Sequence, residues 1–485
     1  MKQAAILGVD FGLSKVHSTI ININTGELFE EREVDYTWDY QANNCSEIRP
    51  EKIWEAAQSV VEGVLKQYDP ATIELRAVVF SCFGESVVPI DTEGNALYPL
   101  IGASDTRATT EAAQLAEGIP NYSQIAGGNV AASSVSSKIL WLRNHQPEVF
   151  EKAARFCSIQ EYIISRVGIA GCNDYTLAAR KMMVDVQQGD WSKEICGFIG
   201  VRPEQLGDIV SSSTCLGEIE TFGRVKLPRK LKVIVGAHDA CSSAIGLGIS
   251  PFNKELLIGN NSGTWNLMNM YFDRFVDAAE KAPGLTPGSG PIKGSYYFQV
   301  AGSVGPLLEW FINTFCGGQT LAALSKRAVY DATCNVRLIR DPMTGNGCFI
   351  GLSFNDTASD VLTGIIESLT FPMKGMLRQY ENLSGKSFKT MRISAGGAKA
   401  DNWVQLKANV MNIRMERVAN LQASSVGAVI NAGIGLGEFN NYDQAIKELV
   451  RVERVFEPQP ELVERYAERM EEFKAYDLKG SCFFI

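Results

Sequence analysis

Leu231-Lys232-Val233-Ile234-Val235-Gly236-Ala237-His238-Asp239-Ala240-Cys241-Ser242-Ser243-Ala244-Ile245-Gly246 reads as an apolar strand that stops at a glycine, presents one carboxylate and continues as a helix of small residues. An aspartate at a strand-to-helix junction stands where open α/β sheets put their ligand-contacting groups. Two readings of Asp239 are open at this point: a catalytic base at the strand end, or the cap of a helix beginning at Ala240.

Working outward, the chain opens with the same kind of unit. Ala5 to Val9 is apolar, Asp10-Phe11-Gly12-Leu13-Ser14-Lys15 interrupts it, Val16 to Ile23 resumes, and Asn24-Thr25-Gly26 turns the chain back. Gly12 and Ser14 could offer backbone N–H groups to a phosphate and Asp10 could hold a hydrated Mg²⁺; a plain hairpin turn is the alternative. About 250 residues later a strand ending at Ile258 enters Gly259-Asn260-Asn261-Ser262-Gly263-Thr264, and a second apolar strand follows. Two such units predict two similar domains, each giving a phosphate loop to a shared cleft. A third loop, Gly396-Gly397-Ala398-Lys399, lies between a strand from Met391 and a helix containing Trp403 and Gln405. Consecutive glycines there allow a backbone to approach a nucleotide phosphate.

Between these landmarks, Ile53, Trp54, Ala57, Val60, Val61, Val64 and Leu65 share one helical face, and a strand is expected from Leu75 to Phe80. Glu85, Asp105 and Arg107 lie beside strand ends, suited to bonding a polyhydroxylated ligand or to a solvated surface. Residues 109–230 read as mostly helical and functionally quiet, with Asp174-Tyr175-Thr176 in a loop. The glycines of Gly433-Ile434-Gly435-Leu436-Gly437 read as close helix packing, and 460–475 as a charged, solvated helix.

Composition narrows the classes. The 485 residues carry a formal charge of −9 with no clustered Lys or Arg, which argues against a nucleic-acid partner. No apolar run approaches the roughly 20 residues needed to cross a bilayer. Eleven cysteines without CxxC pairing, and an N-terminus that runs directly into a strand, predict a reduced, cytoplasmic chain. There is no GxxxxGK[ST] loop, HExxH or GxSxG, and only three histidines.

Five of these segments, in order, resemble the FGGY carbohydrate kinases. Asp10-Phe11-Gly12-Leu13-Ser14 is similar to the family's first phosphate motif, Gly236-Ala237-His238-Asp239 to its catalytic motif and Ser262-Gly263-Thr264-Trp265 to its second phosphate loop. Gly396-Gly397-Ala398-Lys399 with Gln405 resembles the ADP-binding turn, and Gly347 to Leu352 with Asp360 and Glu367 the C-terminal signature. The resemblance implies an α/β chain of two ribonuclease H-like (actin-like ATPase) domains, 1–247 and 248–485, closing over ATP, Mg²⁺ and a sugar or polyol. It implies Asp239 as base and metal ligand, Asp10 as metal ligand, and Glu85, Asp105, Arg107, His238 and Asp239 around the sugar. Gly12, Ser14, Lys15, Ser262, Gly263, Thr264, Gly396, Gly397, Ala398 and Gln405 would serve the nucleotide. Ala103 to Ala108 and Ser303 to Trp310 resemble the L-xylulose kinase branch, so a pentulose such as xylulose is the expected substrate and a homodimer the expected assembly.

Three departures stand out. Leu13 replaces the usual Thr, Asn409 the usual Asp, and Gly84 the arginine that precedes the acidic residue in glycerol kinases. A sugar sensor without turnover, or a chaperone-like ATPase, would keep the same nucleotide motifs.

Overall fold

A computed structural model of the chain describes residues 2–41, 45–250, 257–263, 265–276, 285–340 and 347–474. Thr264, and the segments 251–256 and 277–284 that flank the expected second unit, lie outside the described residues.

Two mixed sheets dominate. The first is built from β1 (Gln3–Phe11), β2 (Lys15–Asn22), β3 (Leu28–Asp35), β4 (Ile73–Cys82), β5 (Cys215–Phe222) and β6 (Val225–His238), in the order β5-β6-β4-β1-β2-β3. β1, β4 and β6 run parallel, and the hairpin strands β2, β3 and β5 are antiparallel to their neighbours. The second contains β7 (Leu257–Ser262), β8 (Trp265–Phe272), β9 (Thr286–Ser289), β10 (Tyr296–Ser303), β11 (Thr390–Ser394), β12 (Arg414–Val418) and β13 (Val452–Phe456), in the order β9-β10-β8-β7-β11-β12-β13. Apart from the extra edge strand β9, its pattern of parallel and antiparallel pairs repeats that of the first sheet. β1 and β7 are therefore equivalent, and so are the loops that leave them.

Helix α1 (Pro50–Leu65) buries the predicted stripe of Ile53, Trp54, Ala57, Val60, Val61 and Val64 against the first sheet. The stretch expected to be helical up to residue 230 instead ends in the long β5–β6 hairpin. Its Lys and Glu residues alternate with apolar ones, a two-residue period that outweighs the helix-forming character of those charged residues. Helix α4 (Asp239–Gly246), which follows β6, crosses the late helix α6 (Ala423–Leu436) at backbone contact. A Cβ added to Gly427 would lie 1.8 Å from the Ser242 carbonyl oxygen, and one added to Gly246 1.8 Å from that of Ala423. α6 thereby joins Ile6, Val79 and Ile234 of the first sheet in one apolar cluster, so packing crosses a division of the chain at residue 247.

Candidate active site

Register brings the first group of residues together. On the parallel strands Asp10 pairs with Ser81, Phe11 with Cys82, Ala237 with Ser81 and His238 with Cys82, so one row at the C-terminal ends of β1, β4 and β6 carries Asp10 and the start of α4. Gly236 makes this possible. The β6 register shifts between Ile234 and Ala237, Gly236 adopts φ +80°, and a Cβ there would lie 1.6 Å from the Phe80 carbonyl oxygen.

Asp239 is the first residue of α4 rather than the cap before it, and its Oδ1 accepts the Ala240 N–H at 2.5 Å. Its side chain keeps 38% of its surface open. Burial by the surrounding protein, and after it the charge of Asp10, pushes its carboxyl up to about 8. His238 Nε2 lies 3.3 Å from Asp239 Oδ1, and burial lowers this imidazole to about 4, so at neutral pH it is an uncharged neighbour. Asp10 is itself raised, chiefly by burial. Its Oδ1 is buried without a hydrogen-bond partner, and its Oδ2 lies 3.4 Å from Ser424 Oγ on α6.

Glu85 joins this group in a backbone conformation that L-residues rarely adopt, φ +52°. Two cations fix it there. Lys138, from α2 (Val135–His145), donates to the Glu85 carbonyl at 2.8 Å and to the Gly102 carbonyl at 2.7 Å. Arg180, the last residue of α3 (Tyr175–Arg180), reaches the Glu85 carboxylate at 3.2 Å. Asp174 aims α3 by accepting the N–H groups of Thr176 and Leu177, and Thr176 Oγ1 in turn accepts the His238 N–H at 2.8 Å.

Asp105 and Arg107 are brought near this group but engaged with each other. The fully buried Asp105 carboxylate accepts from Arg107 Nε and Nη2 and from the Ser46 N–H, while Arg107 also donates to Glu47 and stacks on Trp141. Asp105 contributes to the field around Lys138, and Lys138 holds Glu85.

On the phosphate side, the turn after β1 is tight. Gly12 N–H donates to the Lys15 carbonyl at 3.0 Å, Tyr36 and Trp38 hold the Gly12 and Leu13 carbonyls, Lys15 pairs with Glu33, and Leu13 is exposed. In the equivalent unit of the second sheet, the expected loop from Gly259 is strand as far as Ser262, with Gly263 in a bend. The third loop meets it: a Cβ on Gly397 would lie 2.3 Å from Ser262 Oγ, whereas the space above Gly396 is open. The buried Lys407, on α5 (Asp401–Met411), donates to Asn260 Oδ1 and Ser262 Oγ, both at 2.9 Å, and stacks on Trp403. Burial lowers its ammonium to about 7. Asn261 Nδ2 reaches Ser243 Oγ on α4 at 3.0 Å, which ties this loop to the helix that carries Asp239. Ala398 and Gln405 face structural partners: the Ala398 carbonyl accepts from Arg417, and Gln405 donates to the Glu457 carbonyl and to Asn409.

Arg180, Lys138 and Lys407 are the site residues that sequence reading missed. Lys138 and Lys407 had one available signal, a lysine at an apolar position of a helix; Arg180 lay in a stretch read as quiet.

A 490 Å³ recess between Thr25–Leu28, Gly246 and Val418–Arg451 contains none of these groups. The candidate site is defined by convergent charge rather than by this recess. Among the described residues no group of three or more His, Cys, Asp or Glu could hold a metal. Asp10, with its unpartnered buried oxygen, and Asp239 do fit Mg²⁺, which takes one or two carboxylates and completes its shell with water and phosphate oxygens.

The sequence matches the N-terminal domain of the FGGY family of carbohydrate kinases over residues 5–246 and the C-terminal domain of that family over 262–436. The chain belongs to the FGGY carbohydrate kinases. It is a sugar kinase with the two-domain actin-like ATPase fold of that family. This kinase is 25% identical over 479 residues to xylulose kinase of Bacillus subtilis (strain 168), covering 95% of this chain and 94% of that protein. It is 24% identical over 485 residues to L-fuculokinase of Escherichia coli (strain K12), covering 96% and 100%. The crystal structure of xylulose kinase from Rhodospirillum rubrum superposes with a TM-score of 0.84 at 20% identity, covering 99% of each chain. No helix among the described residues is long and apolar enough to cross a membrane.

Proposed function

We propose that this kinase transfers the γ-phosphoryl group of ATP to a hydroxyl of a neutral sugar or polyol, a pentulose such as xylulose foremost. The observation that carries the reading is the Asp239 carboxyl, raised to about 8 at the head of α4 and flanked by Asp10 and Glu85. A carboxylate of that basicity suits removal of a proton from an alcohol as it attacks phosphorus. In the proposed reaction the sugar oxygen bonds to the γ-phosphorus, the bridging oxygen departs with ADP, and the hydroxyl proton goes to Asp239. Glu85 accepts a hydrogen bond from a second hydroxyl and orients the first. Gly263 and the Gly396–Gly397 turn lie where backbone N–H groups can meet the phosphates. Asp10 and Asp239 would hold Mg²⁺, which supplies neutralisation of the transferring group. Neutral substrates are favoured because Asp10, Asp239 and Glu85 stand together, and the Arg180 guanidinium beside them is already paired with Glu85.

An ADP-release assay over a panel of pentuloses, hexuloses, polyols and sugar acids tests this. Turnover on a neutral member, lost in Asp239→Asn, supports it. Sugar binding without ADP release would instead identify a sensor, and ADP release independent of any sugar a plain ATPase.

A further inference from the structure

We propose that Arg180 is the specificity-determining positioning residue of the sugar pocket and connects that pocket to the C-terminal half. The proposal rests on the sugar-kinase reading and extends it to a residue outside the five segments that carry the resemblance.

Three observations converge on its side chain. First, Arg180 is nearly buried, with 5% of its side chain exposed, and its Nη1 lies 3.2 Å from Glu85 Oε1. Second, the space it crosses exists only because residue 84 is glycine. A Cβ on Gly84 would stand 2.8 Å from Arg180 Cγ and 3.0 Å from the His238 ring. A guanidinium beside the Glu85 carboxylate is thus supplied from α3, across the space that Gly84 leaves open. Third, the far end of the guanidinium abuts the other half of the molecule. A Cβ on Gly288, in β9, would lie 2.5 Å from Arg180 Nη2, and all three atoms nearest to it belong to Arg180.

The physical consequence follows from Glu85. Its positive φ stores strain, and Lys138 holds only its carbonyl, so the direction of the carboxylate depends on Arg180. A carboxylate fixed in direction accepts from a hydroxyl of one configuration and leaves the epimer's hydroxyl unpaired. Because β9 borders the guanidinium, the same contact makes sugar selection sensitive to how the C-terminal half sits.

The test is a kinetic comparison of Arg180→Met, Arg180→Lys and Gly288→Ala on the best neutral substrate and its epimers, with thermal melting of each. Arg180→Met is expected to raise the sugar KM about tenfold or more, to leave the ATP KM within about twofold, and to narrow discrimination between epimers. Arg180→Lys should recover part of the sugar KM. Gly288→Ala displaces the guanidinium without deleting it, and should shift the sugar KM in the same direction in a folded protein even if Arg180→Met fails to fold. The proposal is overturned if Gly288→Ala, or a folded Arg180→Met, leaves the sugar KM and epimer ratios unchanged within twofold. It is also overturned if sugar and ATP constants rise together. A wild-type protein that phosphorylates no member of the panel would refute the sugar-kinase reading itself, a distinct result.

Discussion

Asp10, at the end of β1, adds its negative charge to burial in raising the Asp239 carboxyl to about 8, although the two residues stand 229 positions apart in sequence. Asp10 lies at the C-terminal end of β1 and Asp239 just beyond that of β6, and β4 alone separates the two parallel strands. In the proposed reaction the pair would combine a base of raised affinity for its proton with a place for a divalent cation, two requirements of phosphoryl transfer to an alcohol.

Activity should follow that base. A group that must be deprotonated and has a raised value near 8 leaves a fraction of active enzyme that falls about tenfold per pH unit below it. The sugar kcat/KM is expected to rise through neutrality and level off above about pH 8. Asp239→Asn should lower turnover about 10²–10⁴-fold and lose that pH limb. A profile flat between pH 6 and 9 in the wild type would contradict the assignment.

Stability should move the opposite way. A carboxyl raised on folding binds its proton more tightly in the native state, so its penalty is absent below the unfolded value near 3.8 and develops as pH rises toward 8. Asp239→Asn removes the anion that its surroundings disfavour. It is expected to melt above the wild type at pH 8–9, with the difference vanishing near pH 4, as read by calorimetry across that range.

Much of this was legible in the sequence because strand-loop-strand punctuation is local. Gly236 before Asp239, the α1 stripe and the Gly396–Gly397 turn each announce a backbone event within a few residues, and the structure has each in place. What was hidden is nonlocal. Asp105 and Arg107 looked like ligand contacts, but Ser46 and Glu47, almost 60 residues earlier, engage them. Arg180 looked quiet because its meaning depends on the missing side chain at Gly84 and on β9 beyond it. Arg469, on a terminal helix read as solvated, is buried in an ion pair with Glu367 of the family's C-terminal signature. No periodicity or propensity reports such pairings.

Lys407 gives a prediction on the nucleotide side. It is buried beneath the proposed second phosphate loop, and its ammonium is the donor to both Asn260 and Ser262. Lys407→Met keeps the unbranched stem, one atom shorter, and removes both bonds, freeing Ser262 to shift against Gly397. The ATP KM is expected to rise about tenfold, equivalent to ~1.4 kcal/mol, with the sugar KM unchanged. Burial depresses this lysine to about 7, so the bound cation is lost as pH rises through that value. The native ATP KM should climb above pH 7, and the Met variant should lack the climb. An equal effect on both substrates would instead mean general loosening of the second sheet.

The α4–α6 crossing should be the least tolerant point of the scaffold. At Gly427 an added methyl would lie 1.8 Å from the Ser242 carbonyl oxygen, on the turn of α4 that follows Asp239, and the atom it meets is backbone rather than the movable end of a side chain. Relief requires the two helices to part, which also draws α6, and with it Ser424, away from Asp10. Gly427→Ala is expected to destabilise by about 3 kcal/mol and to lower turnover as well, because the displaced helix carries the base. Gly197→Ala is the control. It sits in a helix with nothing within 4 Å of the new methyl, so the same substitution should stabilise by about 0.5–1 kcal/mol. Denaturant unfolding of both variants, read beside their kcat, decides the matter. If Gly427→Ala melts with the wild type and keeps its turnover, the close contact between α4 and α6 does not hold the base in place.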